Sequence, residues 1–451
     1  MAEPGPKSRP GLLRAVLVLA SGTALAHGLT ALALPVLSRL YTPADFGLLA
    51  VFSGTLSIIA VASCLRYDVA VPMPEHDDDA QHLVALSLAC ACLVALALAV
   101  AVVVAPDRIA QALGQPALAH YLLLLPLGVL AAGAYSALQS WQIRLKRFGP
   151  LSRVRVAQSA ASAGTQIGLA SLGAGPVGLL VGYVMNSGVA CLALGGDLVR
   201  ARRRLRLSRM RELAREYVRF PKYSTIEALA NSAAIQLPII LIAALAAPAE
   251  AGHLSMAIYV MQVPIALIGT AIGQVFLSRA AEEHRAGQLG TFTVGVLRGL
   301  TKAGLGPIIA AGLLAPGLFG LMLGPAWSRS GEMVAAMVPW FALQFLASPI
   351  SMALHVTGHQ RRAFLLQAAS LLVRVGAVLA AARVAPGWVT EAYAASGAVV
   401  YLFYLLLVMI SAGVPLRLSS VGDRQGVLVT LVWTAAAAAL AALISALGGG
   451  R

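Results

Sequence analysis

The sequence predicts an all-α polytopic membrane protein built as two halves of about six spanning helices each. Three observations predict it. The first is composition: of 451 residues, 59% are hydrophobic and 11% charged, with a mean hydropathy of +0.82, whereas a soluble domain carries roughly a quarter charged residues. The second is a series of apolar segments long enough to cross a bilayer. The third is a basic run, Arg200 to Lys222, that holds ten of the 33 Lys and Arg residues and sits near the middle of the chain.

A spanning helix needs about 20 largely apolar residues. Candidate spans are 13–38, 46–65, 82–105, 119–140, 154–173, 176–196, 223–246, 253–277, 295–320, 333–355, 362–384, 388–412 and 427–447. The last of these is Ala-rich. The apolar stretch up to Val36 is too long for a signal-peptide core, so it reads as a first span behind a basic tail. With the N-terminus placed in the cytoplasm, 27 Lys and Arg residues fall on the inner side. Only Arg39, Arg108, Arg329, Arg383 and Arg451 fall on the outer side, and Arg374 lies inside a span. That asymmetry supports the span count and fixes the orientation.

These boundaries predict an N-terminal six-helix lobe over 1–197 and a basic cytoplasmic linker over 198–222. A C-terminal six-helix lobe follows over 223–412, then a loop and extra transmembrane helix over 413–451. Met210, Leu213, Tyr217 and Phe220 recur at helical spacing among arginines, so the linker is expected to form an amphipathic helix on the inner leaflet against anionic headgroups. The halves share a pattern. LPVLSRLYTPADFGLLAVF in the first corresponds to LPIILIAALAAPAEAGHLSMA in the second, pairing Pro35 with Pro238 and Pro43-Ala44-Asp45-Phe46-Gly47 with Pro248-Ala249-Glu250-Ala251-Gly252. Pro sets the first turn of a restarting helix, the acid complements its N-terminal dipole, and Gly admits a close neighbour. Six spans separate corresponding sites, so the repeats run parallel. A basic hinge between two such halves is the layout of an alternating-access transporter.

Several function classes are excluded or disfavoured. The net charge of +15 invites a nucleic-acid reading, but no soluble domain exists to host one. Cys64, Cys90, Cys92 and Cys191 lie in or beside apolar segments without metal-binding spacing, and no GxxxxGK[ST] phosphate loop occurs. The longest outer loop, APDRIAQALGQPALAH (105–120), holds no catalytic cluster, which argues against a membrane enzyme of glycan assembly. The inner loop at 66–82 lacks the GxxxD(R/K)xGRR pattern of sugar-porter facilitators. Asp77-Asp78-Asp79 with Glu75 reads as a solvated acidic face.

Four segments carry a family resemblance: LPVLSRLYTPADFGLLAVF, then LRYDVAVPMPEHDDDA (65–80), WQIRLKRFGPLSRVRVAQ (141–158) and GPVGLLVGYV (175–184). In these the chain resembles the Wzx-type polysaccharide flippases of the multidrug/oligosaccharidyl-lipid/polysaccharide exporter superfamily, over about residues 12–412. The resemblance implies 12–14 transmembrane helices in two six-helix lobes around a central cavity, in the bacterial inner membrane. It implies a secondary transporter, not an enzyme, that moves an undecaprenyl-diphosphate-linked oligosaccharide from the cytoplasmic to the periplasmic leaflet for surface polysaccharide (O-antigen, capsule or exopolysaccharide) synthesis. It also suggests coupling to H+ or Na+ without any other cofactor, and partnership with polysaccharide polymerase and chain-length proteins. A drug or cation antiporter of the same superfamily is the alternative; it would favour acids inside the spans, and the in-span charge here is basic.

Moving a diphosphate and a hydrated glycan across hydrocarbon calls for cations and hydrogen-bonding groups inside the spans. Arg374 leads the candidates, being about twelve residues into its span, with Glu227 the nearest in-span acid by sequence. Arg66 ends the second span in Arg66-Tyr67-Asp68, a triplet that the family resemblance marks. Arg39 is one of few outer cations. His27 lies mid-span in the first helix and aligns beside Asn231 of the seventh, two polar groups at equivalent depth in the two halves. Arg298 and Lys302 share one helix face at the inner mouth of the ninth span, where a pair of snorkelling cations is the simpler reading. No metal ligands are expected.

Overall fold

Each predicted span falls on a long helix, with ends shifted by a few residues. The computed structural model describes residues 9–200 and 205–448, and among these no strand occurs. The long helices are α1 (Arg9–Leu40), α2 (Pro43–Ser63), α3 (Asp77–Val104), α4 (Leu124–Arg144), α5 (Phe148–Ser171), α6 (Val177–Arg200), α7 (Thr225–Leu245), α8 (Pro248–Arg285), α9 (Leu289–Leu323), α10 (Ser328–Ile350), α11 (Gln360–Val384), α12 (Val389–Ser411) and α13 (Arg424–Gly448). Among the described residues, ten helices are long and apolar enough to cross a membrane. Of the other three, α4 and α8 also have 21 and 38 residues, and α5, with 24, is more polar, carrying Arg153, Arg155, Gln158 and Gln166.

Local chemistry sets the helix starts. At α2, Thr42 and Asp45 cap reciprocally: the Thr42 amide and hydroxyl donate to Asp45 Oδ2 at 2.9 and 2.8 Å, and the Asp45 amide donates back to Thr42 Oγ1 at 3.3 Å. At α8, Pro248 occupies the first turn and Glu250 follows, but this acid turns to Arg329 and Thr390 instead of capping its own helix. The two copies of the repeated motif pack on each other. A β-carbon at Gly252 would lie 1.8 Å from the Pro43 carbonyl oxygen, so only glycine fits this approach.

The chain forms two compact units, Met1–Tyr41 with Leu48–Gln236, and Thr42–Gly47 with Leu237–Arg451. In the first, α1 packs on α5, α5 on α6, α6 on α4 and α4 on α3. α2 joins at α4, where Leu56 and Ser63 lie over Gly128 and Gly133 and the Cys64 thiol donates to the Gly133 carbonyl at 3.2 Å. The second unit repeats the order six helices on: α11 packs on α12, α12 on α10 and α10 on α9, with α13 added outside α9. Small residues at these contacts let helix backbones approach where lipid supplies no hydrophobic drive.

The basic segment forms a helix at Leu207–Glu216, as its periodicity predicts; residues 201–204 lie outside the described set. Its apolar face does not lie free for a leaflet. Leu213 is 1% exposed in a cluster with Tyr67, Val71, Leu83, Val84 and Trp141, and Ala214, Tyr217 and Phe220 pack against the same cluster. Arg209 holds Asp79 through two bonds at 2.7 and 2.8 Å, and the Arg206 amide donates to His82 Nε2 at 3.1 Å. Arg211, Arg215 and Arg219 are exposed. Asp77, also of the acidic run, pairs with Arg144 at 2.8 Å.

Candidate functional site

In the second unit, α10, α11 and α12 converge on Arg374. It is 9% exposed and is the one buried Lys or Arg among the described residues. Its guanidinium carbon lies 4.6 Å from the Trp340 ring centre, 5.7 Å from Tyr393 and 5.8 Å from Tyr401. Tyr393, Gly397 and Tyr401 follow at four-residue steps and so share one face of α12. Gly397 makes room for the indole: a β-carbon there would lie 2.5 Å from the Trp340 ring. Trp340 in turn stacks on Phe341 at 5.2 Å and meets Tyr393 edge-on at 5.2 Å.

No carboxylate pairs with Arg374 among the described residues. Its Nε, the Trp340 indole nitrogen and Gln344 Oε1 are buried without hydrogen-bond partners. A buried charge ordinarily requires a counter-charge and full hydrogen bonding. Ring faces supply about 0.5–2 kcal/mol each and leave the net charge standing. The arrangement holds a cation in place and keeps it uncompensated, which suits an anionic visitor.

The first unit holds a second cation within a long helix, Arg155. α5 begins at Phe148, which carries Arg155 into its second turn. Arg155 is half-buried, donates to the Thr23 hydroxyl of α1 and bonds the Tyr135 hydroxyl of α4. One turn on, Gln158 Nε2 donates to Asn186 Oδ1 of α6 at 3.3 Å. Further along, the Tyr41 hydroxyl donates to the Gln166 carbonyl at 2.7 Å. α5 thus carries a polar column through the unit. The Phe-Gly-Pro start of α5 is the sequence signal that could have placed Arg155 inside.

The other predicted residues are dispersed. Arg66 is half-buried in a left-handed turn (φ 62°) just past α2, and its Nε is buried without a partner. His27 is half-buried on α1; Arg39, Glu227 and Asn231 are exposed. Arg298 and Lys302 are engaged elsewhere: Arg298 Nε and Nη2 donate to the Ser419 carbonyl at 3.1 and 2.8 Å, and Lys302 Nζ donates to Gln425 Oε1 at 2.9 Å. With Thr301, whose hydroxyl reaches the Val421 carbonyl at 2.7 Å, they fasten the connector that leads into α13. Arg329 is likewise occupied, by Glu391 at 2.6 Å and by Glu250 and Glu332 at 3.3 Å. Among the described residues no cluster of three or more His, Cys, Asp or Glu could hold a metal ion.

Solved structures share this architecture of two helical units with many helices long and apolar enough to cross a membrane. The chain is similar in fold to lipid II flippase MurJ in an inward closed conformation (TM-score 0.72, 11% identity, covering 94% of this chain and 98% of that one). It is also similar to an inward-facing multidrug resistance MATE family transporter of the MOP superfamily (0.66, 16%, 87% and 94%). A MOP superfamily transporter from Pyrococcus furiosus matches at 0.55, with 16% identity over 88% of this chain and 95% of that one. The family model for polysaccharide biosynthesis proteins matches residues 36–332, and the chain belongs to that family. A search of curated protein sequences finds no match.

Proposed function

We propose that this protein is a flippase that carries an undecaprenyl-diphosphate-linked oligosaccharide from the cytoplasmic to the periplasmic leaflet of the bacterial inner membrane, by alternating access and with its N-terminus in the cytoplasm. The observation that carries the reading is Arg374: a buried arginine held by three aromatic rings with no carboxylate partner among the described residues. Such a group attracts an anion and repels the cations that a drug or cation antiporter would take. Membership of the polysaccharide biosynthesis family supports the glycan part of the substrate. Arg155 and Arg66 are the further cations positioned to receive phosphate, and transport is coupled to an ion gradient. Polymerase and chain-length proteins act on the delivered glycan, and the exposed arginines of the 207–216 helix and its flanks meet anionic lipid.

The test is genetic and biochemical. Deletion is expected to accumulate lipid-linked glycan in the cytoplasmic leaflet. A copy with Arg374→Ala is expected to leave that accumulation in place, and Arg374→Lys to restore export partly, since a lysine keeps the charge but loses the planar fork. Full rescue by Arg374→Ala, with the protein present at wild-type level, removes Arg374 from the site.

A further inference from the structure

A cavity of about 780 Å³ opens in the second unit where α8 ends, α9 begins and α12 ends. It shares no residue with the enclosure of Arg374. Its ionisable lining residues are His284 and Arg298, and no carboxylate is among the lining. Arg298 is fixed in place: Nε and Nη2 donate to the Ser419 carbonyl, which leaves Nη1 to spare. Ser420 is 6% exposed and lines the same cavity, yet its hydroxyl bonds nothing among the described residues. A hydroxyl withdrawn that far from bulk water ordinarily has a partner. Another wall is the start of α9. The first amides of a helix have no acceptor within it and form its positive dipole end. Gln288, at the cap position, makes no side-chain bond to them. Gly290 and Thr291 of that first turn line the cavity. Gly290 lets the turn close on the end of α12, since a β-carbon there would lie 2.9 Å from the Gly413 carbonyl oxygen.

We propose that this cavity binds the phosphate group of an anionic lipid headgroup. Donors of every kind that recognise phosphate line it: a guanidinium, hydroxyls and the open start of a helix. Its depth names the source. Both α9 and α12 are long and apolar enough to cross a membrane, so a cavity at the start of one and the end of the other stands at the level of the headgroups. Arg298 Nη1, the Ser420 hydroxyl and the first amides of α9 donate to the phosphate oxygens, and the acyl chains stay in the bilayer. The connector to α13 is already tied to α9 through Arg298 and Ser419 and through Thr301 and Val421. A bound headgroup adds the end of α12 to that junction and steadies the approach to α13. The site is independent of the cargo that Arg374 receives.

The experiment titrates the full chain in maltoside detergent with dioleoylphosphatidylglycerol, and in parallel with dioleoylglycerol and with inorganic phosphate. Amide hydrogen exchange is followed over residues 287–294 and 411–421. Phosphatidylglycerol is expected to slow exchange in both segments, and dioleoylglycerol, which lacks the phosphate, in neither. Arg298→Gln is expected to raise the half-saturating concentration about tenfold and Ser420→Ala about fivefold. Ser420→Ala removes a hydroxyl that holds nothing in the fold, so it reads the ligand alone even where Arg298→Gln loosens the connector by itself. Unchanged half-saturation in both variants, or equal protection by dioleoylglycerol, overturns the site. Protection by inorganic phosphate at the same concentrations as the lipid overturns the lipid as its source and leaves phosphate recognition standing.

Discussion

Arg374 and its rings form a unit whose tolerance is narrow. Gly397→Ala adds one carbon where the Trp340 ring already lies 2.5 Å from the ideal position. The indole must move, and with it one wall of the cation's enclosure. Overpacking of this kind costs about 1–3 kcal/mol, so thermal unfolding in detergent is expected to fall by several degrees and glycan export to drop with it. An unchanged melting temperature would show that the ring has somewhere else to go. Arg374 itself was legible in the sequence, because a charge in the middle of an apolar run has few explanations. Its enclosure was not, because Trp340, Tyr393 and Tyr401 come from two other helices and only packing brings them together. Arg155 was hidden for a different reason: it adjoins a basic segment, where a charge reads as interfacial.

Helices and the repeat were read well, because long apolar runs and a Pro-small-acid-x-Gly restart are local signals. The direction in which an amphipathic helix faces is not local. Leu207–Glu216 has its apolar stripe where the periodicity put it, yet the stripe meets α3, α4 and the turn at Tyr67. The Arg209–Asp79 pair fastens that helix at its start, and the hydrogen bonds that Arg209 donates to Asp79 and Glu212 raise its pKa further. Arg209→Ala is expected to raise amide hydrogen exchange over 207–216 while Leu213 stays protected, and added salt is expected to produce a weaker version of the same change in the wild type. Loss of protection at Leu213 as well would mean that the ion pair, not the apolar contact, holds the helix. Arg298 and Lys302 carry a similar lesson: a pair on one helix face looks like a mouth in sequence, and in the fold it fastens the connector to α13.

The distribution of charge over the full length makes a topological prediction that the helices allow to be placed. Twenty-seven Lys and Arg residues on one side and five on the other require the α8–α9 turn to face the cytoplasm and the segment after α3 to face the periplasm. In a background without the four native cysteines, Gln111→Cys is expected to react with an impermeant maleimide on intact cells. Ala286→Cys is expected to react only after permeabilisation. Reversed labelling would invert the orientation and with it the direction assigned to transport. The family model and the shared fold record the arrangement of helices, whereas the orientation rests on the distribution of charge and the substrate on a few side chains.

The enclosure around Arg374 also bears on how the protein is made. An arginine at the centre of a helix raises the cost of releasing that helix alone into lipid by about 2.5–3.5 kcal/mol. α11 leaves the ribosome after α10, so Trp340 is already in place to meet the cation, but Tyr393 and Tyr401 arrive only with α12. α11 is therefore expected to wait beside the insertion machinery with one of its three rings and to enter the bilayer together with α12. Truncated chains that end between the two helices would show it as a segment still open to water-soluble reagents. The same uncompensated charge that stands enclosed in the mature protein makes the nascent one depend on the order of its own synthesis.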